Sequence, residues 1–228
     1  MPIPITQQEQ FPKTAKDRVY SVMKDWIIEG TLQPGEKVFD KDIANYFSVS
    51  RTPVREAFQL LSDQKLLIIS PGKESRVASL DIHFIRQAYE ILSMLEALAV
   101  RYASARMTED DLAKLIELND TFRDAIRAGD AVKSNKADHL FHDFLLTLSD
   151  NDFLIQFCGI LETHVARSEI QFFSQETIKD LLLTSVSEHE QIIQALKEND
   201  IDAAADGMRD NWLNTIPYID KVLAARQV

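Results

Sequence analysis

The segment KADHLFHDFLL, Lys136 to Leu146, sets Asp138, His139 and His142 inside five residues of a chain that has only five histidines. Carboxylate and imidazole together suit a divalent metal, and they suit equally a buried hydrogen-bonded cluster. Helix geometry sorts the three. At 100° per residue, Asp138 and His142 lie about 40° apart and one turn from each other. Phe141 and Leu145 flank them, so this face points inward, while His139 points elsewhere and pairs at the surface with Asp143, four residues on. His189 falls in the series Leu182, Val186, His189, Ile193, Leu196, whose steps of four and three put it on the apolar face of its own helix. A buried imidazole there requires a partner. Asp138, His142 and His189 would together make a divalent metal set (zinc, nickel or manganese) with an open coordination position. The same residues could instead bond to one another without a metal.

These residues need a scaffold. A chain of 228 residues makes one large or two modest domains. At 45% hydrophobic and 27% charged, the composition is that of a soluble globular protein. No apolar run approaches the roughly 20 residues that span a bilayer, so no membrane partner is expected. The start, MPIPITQQEQFPK, lacks the basic lead and apolar core of a signal peptide. The single cysteine, Cys158, excludes an internal disulfide. The expectation is a cytoplasmic protein. The net charge of −11 is unevenly spread: residues 1–79 hold 11 Lys and Arg against 10 Asp and Glu, and residues 80–228 hold 14 against 26. A surface for a polyanion therefore belongs in the first third.

Gly30, Gly35, Gly72 and all but one of the prolines also fall in that third. Short elements with tight turns give way to nearly continuous helix, which places a boundary between residues 79 and 80. In the first part an amphipathic helix runs from Thr14 to Glu29, with Val19, Val22, Met23, Trp26 and Ile27 at helical spacing. A turn follows at Pro34-Gly35, then a short helix KDIANYF with Asp40 as N-cap, and a second helix from about Thr52 to Gln64. LLIIS and RVASL form a two-stranded hairpin. The second part reads as about six helices, 81–106, 109–128, 131–149, 152–173, 176–198 and 201–222, in an antiparallel bundle, with Ala99, Ala103 and Ala105 at close helix contacts. The fold class is mainly α: an N-terminal winged helix-turn-helix followed by a helical bundle.

KDIANYFSVSRTPVREAFQLLSDQKLL carries the logic of that motif. Ile43, Ala44 and Phe47 face the core, and Val49 sits between the helices. The second helix opens with Arg51, Thr52 and Arg55 turned outward, at the end that meets base edges and phosphates. Lys41 starts the preceding helix, and the hairpin tip Gly72-Lys73 could serve as a wing. The stretch GTLQPGEKVFDKDIANYFSVSRTPVREAFQLLSDQKLL strongly resembles the winged-helix domain of the GntR family of bacterial transcription regulators, through "PGE", "VSRTPVREA" and the following "LL". By position, the resemblance implicates Lys41, Arg51, Thr52, Arg55 and Gly72 in operator binding. SPGKESRV departs from the family's basic wing turn, which ends in a Gly-aromatic pair.

YEILSMLEALAVRYASARMTEDDLAKL, ADHLFHDFLLTLSDNDFL, SEHEQIIQAL and DGMRDNWLNTI resemble the effector domain of the fatty-acid-regulator (FadR) branch, the all-helical FCD type. That resemblance implies a bundle holding a metal and a small carboxylate, with ligands from an Asp-x-x-x-His pair and two later histidines. The last of these falls at Asn211, which shares a face with Met208 and Thr215, so the implied ligand set is Asp138, His142, His189 and Asn211. The arginine that meets the effector's carboxylate in the family falls near Leu92; Arg101, Arg167 and His164 are candidates to replace it. The function implied is a homodimeric regulator, a repressor, that binds a palindromic operator in double-stranded DNA under control of a small carboxylate. The alternatives are a metal-free regulator with another effector, and a metal-dependent enzyme with an accessory DNA-binding-like domain. No nucleophile motif or second acid–base group accompanies the cluster, which weighs against the enzyme.

Overall fold

The computed structural model describes residues 14–70, 74–172 and 175–220. The chain divides at Ser79 and Leu80 into two compact units.

The first unit opens with α1 (Ala15–Ile28), started by a capping box in which Thr14 and Asp17 exchange side-chain and backbone hydrogen bonds. Val19, Met23 and Ile27 form its buried stripe. Gly35 then takes φ +80°, the left-handed region that glycine enters freely, and its N–H donates to the Val77 carbonyl at 2.9 Å. Next come β1 (Lys37–Val38), α2 (Asp40–Phe47), α3 (Arg51–Asp63), β2 (Leu67–Ile68) and β3 (Ser75–Val77). The sheet has the order β1-β3-β2 with antiparallel pairing, Lys37 opposite Arg76 and Leu67 opposite Val77. The sequence predicts only the β2–β3 hairpin. β1 is two residues long, too short for alternation to show, and pairing to β3 defines it.

α2 ends where Ser48 turns left-handed at φ 54°, letting the Val49 N–H reach the Ala44 carbonyl at 3.0 Å. Val54, Ala57, Phe58 and Leu61 then bury one side of α3 and fix its roll. Asp40 is not the N-cap expected from the sequence. Phe39 holds that position without a side-chain bond, and Asp40 is the first helical residue. Its carboxylate turns instead to two guanidinium groups, which bind it more strongly than a backbone N–H.

The second unit is a bundle of α4 (Ile82–Ser104), α5 (Glu109–Arg127), α6 (Ala131–Leu148), α7 (Asp152–Phe172), α8 (Gln175–Lys197) and α9 (Ile201–Leu213). Asp81, Thr108, Asp130 and Asp200 cap their helices through side-chain oxygens, as acids and threonine before apolar runs should. α4 packs against α6, α7 and α9, and α5 against α6 and α8. Ala99 and Ala103 are buried at these contacts, whereas Ala105 lies exposed at the C-cap of α4 and takes no part. The last helix does not run unbroken from 201 to 222. It turns at Asn214 and Thr215 and resumes over 216–220. Pro217 has no N–H for the Leu213 carbonyl and its ring crowds that carbonyl, so α9 ends at Leu213. No helix among the described residues is long and apolar enough to cross a membrane.

Candidate functional site

Two places concentrate chemistry, one on the surface of the first unit and one inside the second. On the first, α3 begins at Arg51, and Pro53 in its first turn gives up an N–H that has no partner there anyway. The buried face of α3 leaves Arg51, Thr52 and Arg55 exposed. Lys41 is exposed at the start of α2. Gly72 and Lys73 lie outside the described residues.

Two acids belong to this face that the sequence did not place there, Asp40 having been read as a cap and Glu74 not at all. Asp40 accepts from Arg51 Nη2 at 2.6 Å on one oxygen and from Arg55 Nε at 2.7 Å on the other. Hydrogen bonding from Arg51 is the largest influence on the Asp40 carboxyl and, joined by Arg55, holds it below its usual range against the opposing effect of burial. Glu74 likewise meets Lys37 at 2.8 Å and also Arg76. A cleft of about 610 Å³ runs between these groups, lined by Phe39, Asp40, Arg51, Arg55, Ile69 and Glu74.

In the second unit, α6 contributes Asp138 and His142, and α8 contributes His189. One ligand atom from each lies within 4.8 Å of the others, and all three residues are buried. His142 Nδ1 lies 2.6 Å from Glu96 Oε2, and since a carboxylate only accepts, Nδ1 carries the proton. His189 Nδ1 lies 3.2 Å from Asn119 Oδ1. Asn119 Nδ2 donates to the Val186 carbonyl at 3.1 Å, which fixes its oxygen toward the ring and puts the proton on His189 Nδ1. Each imidazole thus has Nδ1 engaged and Nε2 left for the shared centre. Such outer partners are how proteins set the tautomer and aim of metal-binding histidines. His189 Nε2 is buried with no hydrogen bond and stands 3.7 Å from Asp138 Oδ1.

Aromatic rings wall the cluster. Phe141 stacks on His189 at 3.9 Å between centroids, and Trp212 sits 4.6 Å from His142. In this dry setting burial raises Asp138 to about 6, with His142 pulling the other way. Burial opposes the charge on His142, but Glu96, with Asp138 and Glu162 behind it, lifts His142 to about 9. Burial pushes His189 well below its ordinary value.

Asn211 is buried, and its Nδ2 donates to Ser185 Oγ at 3.0 Å and to Glu188 Oε2 at 2.7 Å. Its amide works against the larger effect of burial on His189. His139 is not the surface residue that helix phase predicts. It is half-buried, its Nε2 is enclosed without a hydrogen bond, and burial lowers it to about 4. Leu92 is fully buried in the core. Arg101 pairs with Asp202 on the surface, while Arg167 and His164 are buried, His164 edge-on to Phe84.

Glu96 and Asn119 are the hydrogen-bond partners of the cluster that the sequence reading missed. The signal was present: Leu92, Glu96, Ala99 and Ala103 on α4, and Leu115, Asn119, Phe122 and Ile126 on α5, repeat the four-three-four steps that placed His189. A polar residue on an apolar face is a partner-seeking residue wherever it occurs.

Comparison with known proteins agrees with both halves. Residues 15–77 match the family described as bacterial regulatory proteins, gntR family, and residues 87–212 match the FCD domain. The HTH-type transcriptional regulator YdhC of Bacillus subtilis is 27% identical over 216 residues, 90% of each chain. The HTH-type transcriptional repressor RspR of Escherichia coli is 27% identical over 191 residues, 84% of this chain and 82% of that one. Among solved structures, E. coli McbR/YncC superposes with a TM-score of 0.79 at 22% identity, covering 91% of this chain and 98% of that chain. A GntR regulator from Rhodococcus sp. RHA1 gives 0.75 at 21% identity, covering 92% and 98%. The chain therefore belongs to the gntR family of bacterial regulatory proteins, with an FCD domain after its helix-turn-helix, and is a transcriptional regulator rather than an enzyme.

Proposed function

We propose that this regulator, of the FadR branch, is a homodimeric repressor that binds a palindromic operator through Arg51, Thr52, Arg55 and Lys41, with Gly72 and Lys73 as wing contacts. The observation that carries this reading is the outward face of α3, where two arginines and a threonine stand exposed at the first turn while the opposite face is locked in the core. Arginine bonds guanine O6 and N7 bidentately, and the α3 N-terminus suits a phosphate. Two-fold symmetry would set two such helices in successive major grooves. A seam on α4 supports the dimer: Ile91, Met94, Leu98 and Tyr102 are exposed apolar residues on one helical face, spaced to meet a second copy.

The effector is a small carboxylate held through a divalent ion (zinc, nickel or manganese) on Asp138, His142 and His189, with Asn211 beside them. The donor set fits such an ion: one carboxylate, two imidazoles aimed by Glu96 and Asn119, and an enclosed Nε2 that no protein group satisfies. Bound there, the ion supplies Lewis acidity and positive charge to an oxygen ligand, in a core where Leu92 offers no cation. Ligand binding shifts the population between operator-competent and incompetent states.

Footprinting and selection from a randomised duplex library test the first part. Wild type should enrich one palindrome, and Arg51→Ala or Arg55→Ala should lose it with helical content unchanged; unaltered enrichment overturns the assignment. Elemental analysis and thermal shift with Zn²⁺, Ni²⁺ and Mn²⁺ test the second. His142→Ala should lower metal content, and a wild-type protein that holds no stoichiometric metal and gains no stability from any of the three overturns the metal centre.

A further inference from the structure

Asp40 spends its charge on the DNA-facing surface in an unusual way. It sits at the first position of α2, where the helix N-terminus welcomes an acid, yet it makes no cap. One oxygen takes Arg51 and the other takes Arg55, two side chains a turn apart on the next helix. Both arginines are more than half exposed, whereas the Asp40 side chain is 19% exposed. An exposed ion pair contributes little to stability, so folding alone does not account for the arrangement.

The donors used are informative. Arg55 binds Asp40 through Nε, which leaves both Nη groups at the tip without a partner among the described residues. Those two groups form the end-on fork that matches guanine O6 and N7. Among the described residues Arg51 binds through Nη2 alone and keeps its other donors. A side chain with four rotatable bonds is thereby held before DNA arrives, and the ordering cost of a bidentate contact falls. Meanwhile a fixed negative charge beside the phosphate path weakens attraction for every sequence alike.

We propose that Asp40 is a positioning residue for base reading: it buttresses Arg51 and Arg55 in their DNA-reading orientation and, by its charge, disfavours DNA that offers only phosphates. This inference rests on the recognition-helix reading above and adds a residue that never touches DNA itself.

The test uses the full chain and duplexes with a randomised centre. Wild type, Asp40→Asn, Asp40→Ala, the double variant Arg51→Ala/Arg55→Ala, and that double variant with Asp40→Asn are each carried through selection. Each is then titrated against the enriched duplex and a scrambled one. Asp40→Asn keeps the size of the side chain and Asp40→Ala removes it, so agreement between them, with unchanged thermal unfolding, separates positioning from folding. The expected result is flattened base preference, tighter binding to the scrambled duplex, and a specificity ratio lower by about tenfold, the scale of one bidentate base contact. In the double-arginine background Asp40→Asn should leave the ratio where it was. An unchanged ratio for Asp40→Asn in the otherwise native chain overturns the proposal, as does an equal drop in the double-arginine background. If the arginine substitutions themselves leave base preference intact, the recognition-helix reading fails and the buttress with it. If they abolish preference and Asp40→Asn leaves the ratio unchanged, only the buttress fails.

Discussion

The two units carry their polar chemistry on opposite sides of their cores. In the first, the buried set is wholly apolar, from Val19 and Met23 to Leu67 and Val77, and every charge lies outside it. In the second, Glu96, Asn119, Asp138, His142, His189 and Asn211 are all buried; among the described residues, every buried polar side chain comes after Leu80. A long polyanion can only be met from outside, by charges that water already solvates. The buried groups are reached only from inside, where each must find a partner among distant helices. The outer site can lose a residue at little cost in stability; the inner one cannot.

The largest effect should come from breaking the inner side of this contrast. Phe141→Ala removes a fully buried ring stacked on His189, and should cost about 3–5 kcal/mol in denaturant unfolding. A loss below about 1 kcal/mol would show that the cluster is not built into the core. Next comes Arg55→Ala, which should remove about 1–3 kcal/mol of discrimination at one base-pair position while the melting temperature stays put. A large drop in stability there would erase the contrast. Glu96→Gln, which withdraws the carboxylate behind His142, should weaken metal binding about ten- to hundredfold by calorimetric titration. Thr14→Ala breaks the α1 capping box and should cost about 1 kcal/mol of first-unit stability. The smallest change is expected of Lys41→Ala: uniformly weaker binding across sequences, with the salt slope reduced by about 1.

The same contrast explains what could be read from sequence. α1, α3 and their buried faces follow from spacing, because each stripe is local. The exposed arginines of α3 are legible for the same reason. His189 and Asp138 were also within reach, since a polar residue on an apolar helical face stands out on its own. Which residue partners which was not, because Glu96 is 46 residues from His142 and Asn119 is 70 from His189, and only the bundle joins them. β1 is invisible for a related reason: a two-residue strand exists through β3, not through its own pattern. Asp40 was misread as a cap because the sequence places it correctly for one and cannot show the two guanidinium groups that compete for it. His139 shows the limit of phase arguments on a helix packed on several sides, where there is little true outside.

The chain has two tryptophans, and the fold deals one to each unit. Trp26 lies edge-on to Tyr46 at 5.1 Å, and Trp212 lies 4.6 Å from His142. The protein therefore carries two native fluorophores with separate addresses. In a Trp26→Phe chain the remaining emission would come from beside the imidazole cluster alone. Paramagnetic Ni²⁺ or Mn²⁺ at the cluster should quench it and Zn²⁺ should not, while DNA binding would be followed from Trp26 in the complementary Trp212→Phe chain. One pair of substitutions turns the molecule into its own two-channel optical reporter.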